Sequence, residues 1–410
     1  MQTNLAEFVR DTTQGREADA ILRKCVHCGF CTATCPTYQL LGDELDGPRG
    51  RIYLVKQLLE GAEVTEKTQL HLDRCLTCRA CETTCPSGVE YGRLADIGRA
   101  IVEERVPRGP WQSLKRSVLA AVLPDTRIFS AFLAIGRMMR PVLPAALAAK
   151  VPAHVAAAGT WPPPRHARKM IVLAGCVQPA LAPSINAAAA RVLDRIGISL
   201  LEAPGAGCCG GVRFHLNRQA EGHSDMRALI DAWWPLVESG IEAIVMTASG
   251  CGTTVKEYGH LLKDDPAYAA KAARISAMTL DLSEVLSREH ASLRPLFLQS
   301  AFADNRVAFH SPCSLQHGQQ VRGAVESLLE SAGYTLAFVP DGHLCCGSAG
   351  TYSILQPELS AQLLENKLQA LHTGHPERIA TANIGCLAHL QSGTATCVEH
   401  WIAVLERRIR

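Results

Sequence analysis

The chain has 410 residues, a formal net charge of +2, 5% aromatic residues and 17 cysteines. That length is enough for about two to four domains, each burying its own core. Near-neutral charge and few aromatics offer neither an electrostatic footprint nor a stacking platform for nucleic acid. An odd cysteine count without an apolar leader predicts a reducing, cytoplasmic setting in which thiolates remain available to metals, rather than a disulfide framework.

Residues 1–24 read as an amphipathic lead-in helix, with Leu5, Phe8, Val9, Ala20 and Ile21 on its apolar side. The string CVHCGFCTATCP then runs from Cys25 to Pro36, and CLTCRACETTCP repeats the pattern from Cys75 to Pro86. Each copy reads C-x2-C-x2-C-x3-C-P, the run that holds iron-sulfur cubanes, in which the fourth cysteine serves the other run's cluster. Two residues between ligands let one short loop wrap three corners of a cubane. The last ligand arrives from another segment, and the proline after it removes a backbone donor and ends the loop. The pattern predicts one 4Fe-4S cluster on Cys25, Cys28, Cys31 and Cys85, and a second on Cys75, Cys78, Cys81 and Cys35. Crossed ligation would tie the two halves together, so that metal loss unfolds the domain. Structural zinc sites pair two distant knuckles, whereas each run here crowds four cysteines into eleven residues.

Between the runs, DELDGPRGRIYLVKQLLEG predicts a turn and a helix capped at Asp46 or Gly47, with Pro48 in its first turn. Pro48, Arg49, Gly50 and Arg51 are expected to form a solvated helix start, the alternative being guanidinium groups beside a cluster. Residues 107–168 change character. Arg108, Lys115, Arg116, Arg127, Arg137, Arg140 and Lys150 face a single acid, Asp125, among Pro, Ala and Leu. No run reaches the roughly 18 uncharged apolar residues of a spanning helix. The region is expected to be a basic helical linker, packed on its own protein or lying against an anionic membrane face or a partner subunit, through Phe129, Phe132, Leu133, Met138 and Met139. WPPPR at Trp161 to Arg165 then makes a stiff boundary.

A second repeat occupies the remainder. Cys176, Cys208, Cys209 and Cys251 are matched by Cys313, Cys345, Cys346 and Cys386; 32 positions separate the first cysteine from the pair in both copies, and 42 or 40 separate the pair from the last. Two homologous domains are predicted. KMIVLAGC, ISLLEAP and IEAIVMTASGC read as buried strands in one, RVAFHSPC, YTLAFVP and RIATANIGC in the other, with SINAAAARVLDRIG and AVESLLESAG as helices. Each cysteine thus falls beyond the carboxyl end of a parallel strand, where open α/β sheets hold ligands. Gly205, Gly207 and Gly210 spell a dinucleotide fingerprint, but the sister string DGHLCCG keeps only CCG, so no nucleotide is expected. The fold class is α+β: a mainly helical two-cluster ferredoxin-type domain over 1–106, the linker over 107–168, and α/β domains over 169–300 and 301–410.

CVHCGFCTATCPTYQLLGDELDGPRGRIYL, HLDRCLTCRACETTCPSG, the ASGCG and VKEYG segment, HLCCGSAGTY and TANIGC together resemble, end to end, the iron-sulfur subunits of bacterial glycolate oxidases. The C-terminal half is similar to the CCG domains of heterodisulfide reductases, lactate-utilisation proteins and the third subunit of anaerobic glycerol-3-phosphate dehydrogenase. The resemblance implies a three-part complex in which a flavoprotein subunit carries FAD and oxidises glycolate to glyoxylate, and it leaves D-lactate open as a second substrate. This chain would bind no substrate and would pass electrons toward the quinone pool from the cytoplasmic face of the inner membrane. One departure stands out. CCG domains with special clusters end in C-x2-C, but here Ala248 and Asn383 occupy the penultimate cysteine positions. Four cysteines per copy suffice for one additional cluster each, the alternative being buried free thiols. The missing pair weighs against a heterodisulfide-reductase-like site, and a lactate-utilisation subunit is the other alternative. His27, His310 and His343 stand beside cysteines; packing or surface roles are expected for them, not the tuning of cluster potentials.

Overall fold

Among the described residues the first strand begins only at Arg168, and the regular structure before it is helical. The computed structural model describes residues 1–144, 148, 150–298 and 305–410; the expected boundary between residues 300 and 301 lies outside them. The lead-in is two helices rather than one, α1 (Glu7–Arg10) and α2 (Thr13–Lys24). The break has a local cause, because the Thr12 hydroxyl caps α2 by accepting from the Gly15 N–H at 2.9 Å. Between the cysteine loops lie α3 (Pro48–Leu59) and α4 (Glu66–Asp73), and α5 (Tyr91–Arg105) follows the second loop. Leu22, Val55, Leu58, Leu94 and Val102 form their common core; each such side chain contributes about 1.5–3 kcal/mol on burial.

Helix α3 starts as its sequence predicts, with Gly47 as cap and Pro48 at the first position. The expectation of a solvated start holds for Arg49, which pairs with Glu44 at 2.6 Å at the surface. It fails for Arg51, which is 1% exposed. The Arg51 Nε donates to His71 O at 2.7 Å, and its Nη atoms donate to Thr37 Oγ1 at 3.1 Å and to the fully buried Asp46 at 3.3 Å. A buried carboxylate and carbonyl are what make the buried guanidinium tolerable.

The basic segment forms α6 (Pro110–Val122) and α7 (Thr126–Met139), which are bent against each other by 109°. Asp125 caps α7 by accepting from the N–H groups of Arg127 and Ile128. Trp111, Leu114 and Val118 on α6, and Ile128, Phe132, Ile135 and Met138 on α7, remain exposed at helical spacing. Among the described residues no single helix is long and apolar enough to cross a membrane. Trp161 anchors the end of this segment by donating to Leu200 O at 3.1 Å.

The remainder folds as two lobes with the same plan. The first carries β1 (Arg168–Val172), α8 (Ser184–Arg195), β2 (Ile198–Glu202), α9 (Gln219–Glu238), β3 (Ile244–Met246), α10 (Ser249–Lys256) and β4 (Thr279–Asp281). The second carries β5 (Arg306–His310), β6 (Thr335–Leu336), α11 (Pro357–His372), β7 (Arg378–Thr381), α12 (Ile384–Gln391), β8 (Cys397–His400) and α13 (Trp401–Glu406). Strand orders are β2-β1-β3-β4 and β6-β5-β7-β8, every pairing parallel. Ile171, Val172, Ile244 and Val245 are fully buried, as strands covered on both faces require. Strand β6 is shorter than its apolar run because it lies at an edge, where Phe338 is 75% exposed.

The lobes share one core that includes Val172, Leu193 and Val245 from the first and Val307, Leu329 and Trp401 from the second. Helix α8 meets α13 through the Arg191–Glu406 ion pair. His400, buried, reaches from the second lobe to Thr247 O at 2.8 Å. The Ser249 N–H donates to Ala382 O at 3.1 Å, so α10 and α12 start side by side where the two sheets meet.

Candidate metal centres

The two ferredoxin-type loops bend alike. His27 and Gly29 in the first, Thr77 and Arg79 in the second, have positive φ between 52° and 83°. Residues two and four after the first cysteine therefore turn the chain around a centre in both loops, an arrangement that points successive amides inward. Arg79 holds a left-handed conformation that costs a side-chain-bearing residue about 1–2 kcal/mol. Ion pairs with Glu82 and Glu257 fix it there.

The first loop gathers Cys25, Cys28 and Cys31 with Cys85 from the second run. The Cys31 thiol is pushed up to about 11 by burial and by the neighbouring Cys25, Cys85 and Cys28. Cys28 is exposed, with Val26 and Phe30 beside it at the surface. The second loop gathers Cys75, Cys78 and Cys81 with Cys35. Burial raises Cys81, and Cys78, Cys75 and Cys35 raise it further. Cys75 behaves in the opposite way. Burial disfavours its thiolate, but Arg51 and Arg99 outweigh it, and Tyr91 Oη at 3.5 Å and the Thr77 N–H at 3.4 Å donate to the sulfur, so the thiol lies below its usual range. Cys31 and Cys81 raised by burial and by neighbouring thiols, two cations beside Cys75 and inward amides suit a group of net negative charge built on iron.

In each lobe the repeat cysteines come together where the strands end. Cys176 lies just beyond β1, Cys208 and Cys209 on the loop after β2, and Cys251 in the first turn of α10. Their thiols touch in sequence, Cys176 to Cys208, Cys208 to Cys209 and Cys209 to Cys251, and these contacts together with burial push Cys176 well up. The second lobe repeats the chain of contacts with Cys313, Cys345, Cys346 and Cys386. The glycine of each CCG string is required by geometry. Gly210 and Gly347 have φ of 82° and 89°, and an added Cβ would lie 2.6 Å from Gly222 O and 2.7 Å from Ser360 O. Without side chains there, α9 and α11 can press against the cysteine loops.

Burial pushes the Cys78 thiol up, and the nearby Cys313 pushes it further. Leu76, Cys313, Cys345, Tyr352, Leu359 and Leu363 form one apolar cluster with Cys78 against it. Tyr352 Oη donates to Arg74 O at 3.0 Å, and Thr83 Oγ1 bonds His317 Nδ1 at 2.7 Å, so the ferredoxin-type half is fastened at the second lobe's cysteine set. A cavity of about 1080 Å³ lies between this contact and the first lobe, with Cys78, Cys176, Cys251, Cys313 and Cys386 on its walls. Leu123 and Phe129, from the turn between α6 and α7 and from α7 itself, also line it.

Several residues escaped the sequence reading. Arg99 donates to Leu72 O and Cys75 O, and Tyr258 Oη donates to Cys209 O at 2.8 Å while wholly buried. Lys367, 3% exposed, sits with Cys313, Cys345 and Cys346 as neighbours. Only Arg51 gave a signal, as a cation placed between the runs. His27, half-buried, lines the first cysteine set, its Nε2 being buried without a partner among the described residues.

Comparison with known proteins follows the same division. Residues 21–89 match the 4Fe-4S dicluster domain family, and residues 170–256 and 307–391 each match the Cysteine-rich domain family. The glycolate oxidase iron-sulfur subunit of Escherichia coli K12 is 56% identical over 409 residues, covering 100% of this chain and 99% of that one. A probable glycolate oxidase iron-sulfur subunit of Bacillus subtilis 168 is 29% identical over 94% of this chain and 92% of its own. Lactate utilization protein A of Bacillus velezensis is 25% identical over 54% of this chain and 90% of its own. With both cysteine-rich halves matched and the full length aligned, the chain belongs to the family of glycolate oxidase iron-sulfur subunits.

Proposed function

We propose that this chain is the electron-transfer subunit of a complex whose flavoprotein subunit, carrying FAD, oxidises glycolate to glyoxylate. The observation that carries the reading is the packing of Cys78 against the apolar cluster that contains Cys313 and Cys345, which continues the ferredoxin-type cysteine sets into the second lobe. Cys25, Cys28, Cys31 and Cys85 hold one 4Fe-4S cluster and Cys75, Cys78, Cys81 and Cys35 the other. The repeat sets Cys176, Cys208, Cys209, Cys251 and Cys313, Cys345, Cys346, Cys386 hold further iron. Bound clusters supply one-electron chemistry, dividing the two electrons of a hydroxyacid oxidation. The chain's own residues set the course. Cys28 at the surface, with Val26 and Phe30 exposed around it, is the face for the flavoprotein. Arg51 and Arg99 favour the added negative charge at Cys75. Apolar Leu76, Leu359 and Leu363 keep water from the junction with Cys313.

The acceptor in this reading is a quinone at the cytoplasmic face of the inner membrane. Helices α6 and α7 support it, since their exposed apolar stripes are flanked by Lys115, Arg127 and Arg137 with no acid but Asp125 between Pro110 and Met139. That pairing of apolar and cationic character suits an anionic lipid surface. The purified complex, assayed for flavin and iron per chain, tests the function. It should reduce an artificial dye with glycolate, and the isolated chain, free of flavin, should not. Turnover of glycolate by the isolated chain would refute the assignment. Ala248 and Asn383 disfavour disulfide reduction, because the fifth thiol of such a site is missing from both lobes.

A further inference from the structure

The two lobes are built on one plan but differ at the point where a fifth ligand would sit. In the second lobe His310 ends β5, three residues before Cys313, and is 2% exposed. A ring nitrogen of His310 and the sulfurs of Cys346 and Cys386 all lie within 4.8 Å of one another. His310 Nδ1 bonds Thr381 Oγ1 at 3.0 Å, its register partner on β7. Its Nε2 is buried and has no hydrogen-bond partner among the described residues. Leaving a buried ring nitrogen unsatisfied costs roughly 1–3 kcal/mol. With Nδ1–H donated to the threonine hydroxyl, Nε2 carries a free lone pair, the tautomer that metal-ligating histidines adopt when a neighbour holds the other nitrogen.

The first lobe has hydrocarbon in the same places. Leu173 stands three residues before Cys176, and Met246 ends β3 where Thr381 ends β7; they are 4% and 1% exposed. The buried ammonium of Lys367 likewise lies on α11 beside the second set, where it donates to Asp341 O at 2.9 Å. Helix α9, its counterpart in the first lobe, buries Leu229 and Ile230.

We propose that His310 is a metal ligand, completing with Cys313, Cys345, Cys346 and Cys386 a mixed imidazole and thiolate iron site in the second lobe, whereas the first lobe's site is all-thiolate. The inference rests on the reading that the repeat cysteines hold iron. It explains why Asn383 can stand where a cysteine is absent, its Nδ2 donating to Cys386 Sγ at 3.5 Å while the fifth ligand comes from another strand. The imidazole adds a neutral ligand to the same number of thiolates, and Lys367 beside the second set has no charged counterpart on α9 at Leu229, so the second-lobe centre has the higher potential of the two. The centre that abuts Cys78 is then the one that draws electrons out of the ferredoxin-type half.

The test uses the full-length chain purified anaerobically, once with ordinary histidine and once with nitrogen-15 histidine. Iron per chain should exceed the roughly eight atoms of two cubanes. Pulsed electron paramagnetic resonance should show a strongly coupled nitrogen whose splitting changes with the isotope. His310→Leu, which copies the first lobe, should lose that coupling. His310→Cys should lose it while keeping iron, with the midpoint potential of that centre lowered. Iron above eight with no isotope-sensitive coupling in the native chain, or coupling that survives in His310→Leu, overturns the assignment. About eight irons in the native chain instead refutes the underlying reading of the lobes, and the inference falls for that separate reason. The isotope comparison needs no variant to fold.

Discussion

Replacing Arg51 by Met tests whether a buried cation both holds the ferredoxin-type half together and sets one of its centres. Arg51 donates three hydrogen bonds, to His71 O, Thr37 Oγ1 and Asp46 Oδ1. Breaking a buried ion pair from one side costs about 3–5 kcal/mol, chiefly because the remaining charge is stranded. Here Asp46 keeps Arg74 at 2.7 Å and His71 at 3.1 Å. The expected loss is therefore at the lower end, about 3 kcal/mol, still a large part of the roughly 5–15 kcal/mol that stabilises a typical domain. Arg51→Lys keeps the charge without the fork and should fall between the two. Because Arg51 is a charged neighbour of Cys75 and Cys35, the Met variant should also lower the midpoint potential of the cluster on that set, reduction there adding negative charge. Urea unfolding of the anaerobic chain followed by the cluster's visible absorbance reads the first effect, and a redox titration reads the second. A stability change under about 1 kcal/mol, or an unchanged potential, would refute the argument for Arg51.

Cys28→Ser and Cys78→Ser should each lose about four irons and cooperative unfolding, since each removes a ligand from a different set; full iron retention in both would sink the assignment. Arg137→Glu with Arg140→Glu should weaken binding to anionic vesicles, less so at high salt, where exposed charges act over only about 3 Å at 1 M. Unchanged vesicle binding with loss of the flavoprotein subunit would instead make α6 and α7 a subunit interface. His400 is held neutral by burial, which lowers it to about 4, with the bond to Thr247 opposing. An unfolded histidine titrates at 6.5, so the unfolded chain takes up the proton first, and stability should decline as pH falls from 6.5 toward 4. His400→Asn, which can still cap α13, should flatten that decline in pH-dependent denaturation.

What could be read from the sequence was local. The cysteine runs announce their sets because C-x2-C-x2-C places three sulfurs on one loop, and the matched intervals announce two lobes because Cys176 and Cys313 each follow a strand. The break at Thr12 was hidden because the apolar spacing on either side of Asp11, Thr12 and Thr13 fits one continuous helix, and nothing in that run says which residue caps or that the chain breaks there. Arg51 was misjudged because its partners, Asp46 and His71, come from a turn and a separate helix, and no spacing records that they close over it. His310 read as packing because strand-end histidines usually are. Its meaning comes from β7, which brings Thr381 alongside it, and from the ring's closeness to Cys346 and Cys386. Which lobe receives Cys78 is likewise a docking contact between segments more than two hundred residues apart.

The gathering of Cys25 with Cys85 also bears on how the chain is made. A cubane on that set cannot close until the sixtieth residue beyond Cys25 has left the ribosome, and the set that includes Cys35 must wait for Cys81. At translation rates of about 5–20 residues per second, the early thiols spend roughly 3–12 s without their last partner, open to oxidation and to the wrong metal. The two sets are completed four residues apart, at Cys81 and Cys85. Where both sets hold clusters, they become ready for iron at nearly the same moment, and no early half stands complete while the rest of the region is being made.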